Sequence, residues 1–222
     1  LTLRAGKLQA SLVLRPGTAL SLDRLTLVGE ALEVRPDQGP GATVATLRFA
    51  TRPDPTRAAA HEIGLAVSGI VPDAAATAAL PPDAALSGAA AELRLVATAV
   101  LSGPIDRFAA KAQPALLRLD LTEVAFRWGG IVLSGSGTLA PDAAGLAEGR
   151  IDLRLDQWRQ AIDVAVALGA LRPEVAPTWT EFARRLSETG GSPDRLDLTL
   201  TLARGRISLG LLPIGPAPRL VP

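Results

Sequence analysis

Apolar residues recur at every second position over most of this chain. Leu8, Ala10 and Leu12 alternate with Lys7, Gln9 and Ser11, and Leu25 and Leu27 with Arg24 and Thr26. Leu32 and Val34, Ile63 through Val67, Leu93 and Leu95, Leu117 through Leu121, and Ile151 through Leu155 keep the same rhythm. The longest set is Leu196, Leu198, Leu200 and Leu202 against Asp197, Thr199 and Thr201. Successive side chains of a strand point to opposite faces, so each run predicts a half-buried strand. Polar residues in every second position predict antiparallel pairing with one wet face, because parallel strands are buried on both. The expected fold class is mainly β: a large curved antiparallel sheet, a meander of hairpins.

The runs are punctuated by Pro–Asp pairs at Pro36, Pro53, Pro72, Pro82, Pro141 and Pro193. Proline presets φ and the aspartate bonds its own backbone, so each pair is a turn signal. Gly129-Gly130 and Gly205 read as hairpin turns. Residues 72–91, rich in Ala and Pro, read as a long loop with one helical turn.

After Asp156 the period changes. Trp158, Ala161, Ile162, Ala165, Val166 and Gly169 follow one helix face, with Asp156 as expected N-cap. A second helix is predicted from Thr178, with Glu181 as its capping-box partner and Trp179, Phe182, Ala183 and Leu186 as its face. Gly190-Gly191 ends it. The result is a two-helix insertion at 157–190 in a single β-rich domain, 1–222. Arg118–Thr122 repeats in Arg195–Thr199. A duplicated unit, with quasi-repeat halves 1–115 and 116–222, would explain this, as would a small residue vocabulary under an alternating pattern.

Composition narrows the chemistry. With 23 basic and 22 acidic residues the net charge is +1, and aromatics are 3% with no Tyr. Neither feature favours nucleic acid, which needs a basic surface and stacking platforms. There is no Cys and one His, His61, so disulfides, thiolate sites and histidine clusters lack material. No cofactor or metal is expected. A chain that starts at Leu1 and has no Met is expected to have lost an upstream segment, such as a signal peptide or membrane anchor. No uncharged apolar run reaches the roughly 18 residues of a spanning helix.

No motif carries catalysis. Gly135-x-Gly137-x-x-Ala140 is followed by Pro141-Asp142 and Gly145, a turn and not the helix a dinucleotide fingerprint requires. His61 and Glu62 are strand neighbours on opposite faces, and His61 reads as a solvated residue at a strand start. Asp152 and Asp156 share a face with Arg154 between them, which reads as a solvated charge ladder. A non-enzymatic role is expected.

Trp128-Gly129-Gly130, then Gly135-x-Gly137-x-Leu139-x-x-Asp142-x-x-Gly145 and Trp158, resemble the bacterial domain-of-unknown-function 2125 family. The ending Gly205-Arg206-Ile207-Ser208-Leu209-Gly210, then Pro213-Ile214-Gly215-Pro216-Ala217-Pro218, is similar to it as well. The resemblance lies mainly in residues 117–222. It implies an envelope protein with an N-terminal membrane segment, periplasmic or inner-membrane-anchored in a Gram-negative bacterium. The strand–turn grammar is more distantly similar to AsmA-like and bridge-type lipid-transfer proteins. No catalytic residues come with either likeness.

About a dozen strands at about 4.8 Å spacing would make an open sheet close to 58 Å wide. Two helices of about 20 Å cover only part of its apolar face. The remainder calls for curling, a partner or an apolar ligand. The expected function is binding or transfer of lipid, or another apolar ligand, in a sheet groove. Its expected lining is Trp158, Ile162, Trp179, Phe182, Leu186, Leu198 and Leu200. The alternative is an assembly module that binds an envelope protein partner through a sheet edge or the helix pair.

Overall fold

The structure is a computed structural model. It describes residues 2–37, 41–78, 80, 86, 89–190, 192–210 and 212–221. Among the described residues eleven strands form one antiparallel sheet in strict sequence order. They are β1 (Thr2–Leu14), β2 (Leu22–Arg35), β3 (Ala42–Pro53), β4 (Ala60–Pro72), β5 (Ala91–Leu101), β6 (Leu116–Trp128), β7 (Ile131–Pro141), β8 (Ala147–Asp156), β9 (Arg195–Ala203), β10 (Arg206–Leu209) and β11 (Leu212–Pro216). The described residues also include helices between strands: α1 (Ala74–Ala78), α2 (Ala109–Ala112), α3 (Trp158–Ala167) and α4 (Ala176–Thr189). The meander expected from the alternation is the observed architecture, with β5 and β6 paired across residue 116.

Directly opposed residues of antiparallel strands share a face, so the register sorts the side chains. Leu12, Leu25, Thr51, Ile63 and Ala97 form one cross-strand row. Leu47, Val67, Leu93, Phe126, Leu133, Leu155 and Leu196 form another. The opposite face carries Arg48, Arg94, Glu62, Asp120, Arg150, Asp152, Arg154 and Asp197. The parity changes once within β2, from Leu27 to Leu32. Ala31 there adopts φ 50°, and the side chain of Leu32 returns to lie beside Gly29. Leu32, opposite Val44, thus rejoins the apolar face, and both are buried.

Turn chemistry follows the prolines. Pro53, Pro72 and Pro141 are the last residues of β3, β4 and β7. Asp54 accepts from Thr56 N and Oγ1, and Asp142 from the backbone N–H groups of Ala144 and Leu146. The Pro82 pair lies outside the described residues, as does much of the 72–91 segment. Within that segment α1 supplies the single helical turn, and Leu86 is buried against Ala91, Trp128, Ile131 and Val164.

Gly135 and Gly137 find their reason in β7. A Cβ at Gly135 would fall 2.4 Å from Leu153 Cδ2, and one at Gly137 2.3 Å from the Arg150 carbonyl oxygen. At these two positions β8 approaches β7 so closely that no side chain fits, and glycine in a strand marks such a close approach of another backbone.

Both helix starts differ from the sequence expectation. Asp156 does not cap α3: it ends β8, opposite Arg195, and accepts from Arg195 Nε at 2.7 Å. Gln157, at φ 56°, makes the turn into the helix with no side-chain cap. The sheet ladder reaches one residue further than the helix signal implied. Likewise α4 starts at Ala176, directly after a 3-10 turn at Pro173–Val175, with Pro177 in its first turn. Proline suits that turn because its missing N–H has no helical acceptor there. Glu181 is no capping partner. It accepts from Arg184 and Arg185, and the Arg184 bond, then the Arg185 bond, hold its carboxyl down to about 2.

Candidate apolar groove beside the helix pair

The helix pair covers only the later strands. α3 packs on β7 and α4 on β9. Trp158, at the first turn of α3, is fully buried against Ala183 of α4 and Leu196 of β9. Its indole N–H donates to the Pro193 carbonyl at 2.9 Å, and the Arg159 guanidinium lies over its ring at 4.3 Å. One side chain therefore fixes α3, α4 and the strand that follows them.

Outboard of this core, α4 and β9–β11 enclose an open groove of about 750 Å³. Phe182 and Leu186 form its helical wall, Leu198 its floor, and Leu209 and Leu212 its outer wall. Thr178, Asp197 and Thr199 sit at its margin. Trp179 meets Phe182 edge-to-face, with ring centroids 6.1 Å apart. The volume lies within the range of small-molecule sites, about 300–1,000 Å³, and an apolar lining with few polar groups is their usual character.

Three expected lining residues, Phe182, Leu186 and Leu198, are thus brought together. Trp179 touches Phe182 and is not part of the lining. Ile162 contributes to the core under the helices and to a separate crease of about 820 Å³ between α3 and α4, bordered by Asp163 and Glu181. Leu200 packs instead in the cluster of Ala97, Leu121, Leu139, Ala147 and Leu202. Trp158 offers no surface to a ligand; it anchors the helices. The sequence reading missed Leu209, Gly210 and Leu212. Ile207 and Leu209 do alternate, but the short β10–β11 hairpin carries too few residues for the period to stand out.

The apolar face continues beyond the groove. Leu27, Phe49, Leu65, Leu95 and Val124 are only half-buried, and the helices pack chiefly on β4, β7 and β9.

The polar face is tied by cross-strand charges. Arg154 Nε donates to Asp197 at 3.0 Å, Arg150 pairs with Asp152, and Thr199 Oγ1 donates to Asp152 at 2.6 Å. The charge ladder expected around Asp152 and Asp156 is present, and it runs across β8 and β9. Further along, burial acts to raise the Asp120 carboxyl, but bonds from Arg118, Arg57 and Thr138 outweigh it and hold the pKa below its ordinary value. None of these carboxylates converges on a cleft with a nucleophile. Among the described residues no group of three or more His, Asp or Glu is placed to hold a metal ion.

His61 departs from its expected exposure. It pairs across the sheet with Pro53 and Ala99 on the apolar face, is 5% exposed, and its Nδ1 has no hydrogen-bond partner. Burial lowers its pKa. The expectation failed because His61 takes the parity of Ile63 and Leu65, which places it inward.

Comparisons with curated proteins and with solved structures gave no match. A family model, described as an uncharacterized protein conserved in bacteria, matches residues 1–218. It therefore takes in the first half of the chain, where the sequence motifs carried little of the likeness. The chain belongs to the DUF2125 family.

Proposed function

We propose that this chain binds and passes on lipid, or another apolar ligand, along the apolar face of its sheet in the bacterial envelope. The groove of about 750 Å³ beside α4 carries the reading: its walls and floor are Phe182, Leu186, Leu198, Leu209 and Leu212. Each buried methylene of an acyl chain contributes about 0.8 kcal/mol, so an aliphatic trough suffices without a charged anchor. The half-buried row of Leu95, Leu65 and Phe49 extends the same surface toward β3 and gives a ligand somewhere to move. The envelope setting rests on the family resemblance.

The test is native mass spectrometry of gently purified protein, with organic extraction and lipid analysis of any adduct. A stoichiometric adduct of fatty-acid or phospholipid mass is expected, and Phe182→Asp should abolish it while leaving the far-ultraviolet circular dichroism unchanged. A clean apo mass, with no uptake from added phospholipid vesicles, rejects the reading.

A further inference from the structure

In a meander of strict sequence order, every second connection falls at the same rim of the sheet. One rim carries α3 and α4. The other carries the connections after β1, β3, β5, β7 and β9, and the residues that follow β11. These hold Arg15, Arg57, Arg107, Lys111, Arg204 and Arg219 against Asp54, Asp106 and Asp142. Each of the three carboxylates accepts from a backbone N–H of its own turn. The connections at the helix rim have the opposite balance, with seven acidic residues against four basic among those described. A chain of net charge +1 is therefore basic at one rim and acidic at the other. The basic rim also bears exposed apolar side chains. Leu20, between β1 and β2, is 39% exposed, and Phe108, between β5 and β6, is 54% exposed. Their two connections are tied together. The Leu22 N–H donates to the Ile105 carbonyl at 2.8 Å, and the Arg107 N–H to the Ala19 carbonyl at 3.0 Å. Leu20 and Phe108 each follow directly on the bonded pair Ala19 and Arg107. The Arg107 guanidinium lies over the Phe108 ring at 5.1 Å, and Lys111 ends the turn of α2 that starts from Phe108.

We propose that this rim docks on an anionic lipid surface, with Phe108 and Leu20 entering the headgroup region and Arg107 and Lys111 bonding lipid phosphates. The charge asymmetry orients the molecule: a negative surface attracts the basic rim and repels the helix rim, over about a Debye length. The apolar tips then lie against the bilayer. Arginine and lysine stems follow the apolar side chains inward while their charged heads stay at phosphate level. Two tips are too little for a stable protein interface, which buries about 800 Å² on each partner. They suit a fluid surface, which moulds itself around single side chains. The groove beside α4 lies toward the helix rim, where β10 turns into β11. Docking therefore goes beyond the ligand reading and stands or falls without it.

The test is co-sedimentation of the whole chain with vesicles of phosphatidylglycerol mixed with phosphatidylethanolamine, against vesicles of phosphatidylcholine alone. Binding to the anionic vesicles is expected, weakening as salt rises, with little binding to the neutral ones. Arg107→Ala combined with Lys111→Ala should weaken it by about tenfold. Phe108→Asp should abolish it with the far-ultraviolet circular dichroism unchanged. Phe182→Asp, in the groove, should leave it intact, which separates docking from uptake of a lipid. The chain has no Cys, so single cysteines carrying a polarity-sensitive dye report the orientation. The dye on Leu20→Cys should shift to the blue on anionic vesicles, and the dye on Glu174→Cys, at the helix rim, should not. Absence of binding to anionic vesicles at low salt would overturn the proposal and leave the rim to a protein partner. Equal binding to phosphatidylcholine, a Phe108→Asp variant that binds like the parent, or a blue shift at Glu174→Cys without one at Leu20→Cys would overturn it as well.

Discussion

His61 shows how much one parity position decides. Buried with a bare Nδ1, it is held neutral, its pKa below the unfolded value of about 6.5. Above that value both states are neutral and its stability contribution is complete. As the pH falls below about 6.5 the unfolded chain takes up a proton that the folded chain refuses, so stability is lost toward the folded pKa. Thermal unfolding midpoints measured from pH 7.5 to 5 should fall on the acid side, and His61→Leu should flatten that slope. A variant as steep as the parent would show that the slope arises elsewhere. Gly137 is equally constrained: Gly137→Ala places a methyl against the Arg150 carbonyl and should cost about 1–3 kcal/mol in denaturant titration. The Gly135-x-Gly137 pattern is visible in the sequence, but its cause is not, because the obstructing atoms belong to the next strand.

The helix pair and its strand act as one element. Trp158 is the common contact of α3, α4 and β9, and its indole bonds the turn that leads into β9. Trp158→Ala should cost about 3–5 kcal/mol in chemical denaturation. Trp158→Phe keeps most of the packing, loses the bond to Pro193, and should cost about 1 kcal/mol. Equal losses for the two would mean that the hydrogen bond dominates the anchor. Both helices were legible from their 3.6-residue period, because that period comes from the helix's own face. Their starts were not. Asp156 and Glu181 look like caps in isolation, yet Arg195, Arg184 and Arg185 claim them, and strand pairing and helix-surface ion pairs outbid the local signal.

At the scale of the whole molecule, a balanced charge leaves the sheet held by ladder hydrogen bonds and apolar rows. Exposed pairs such as Arg154–Asp197 contribute about 0.2–1 kcal/mol each, so Arg154→Ala should lower stability by less than about 1 kcal/mol in denaturant titration. A larger loss would assign the polar face a structural weight its exposure does not imply. The sequence alone determined the antiparallel meander, its turns and the two helices, because alternation, proline–aspartate pairs and helical period are properties of consecutive residues. It placed Phe182, Leu186 and Leu198 among the groove's residues for the same reason, each being on the apolar face of its own element. Only the tertiary structure decided that Trp158 is sealed in the core, that Leu209 and Leu212 close the groove, and that His61 is buried. Those depend on which element lies over which, and that is set by contacts between residues far apart in the chain.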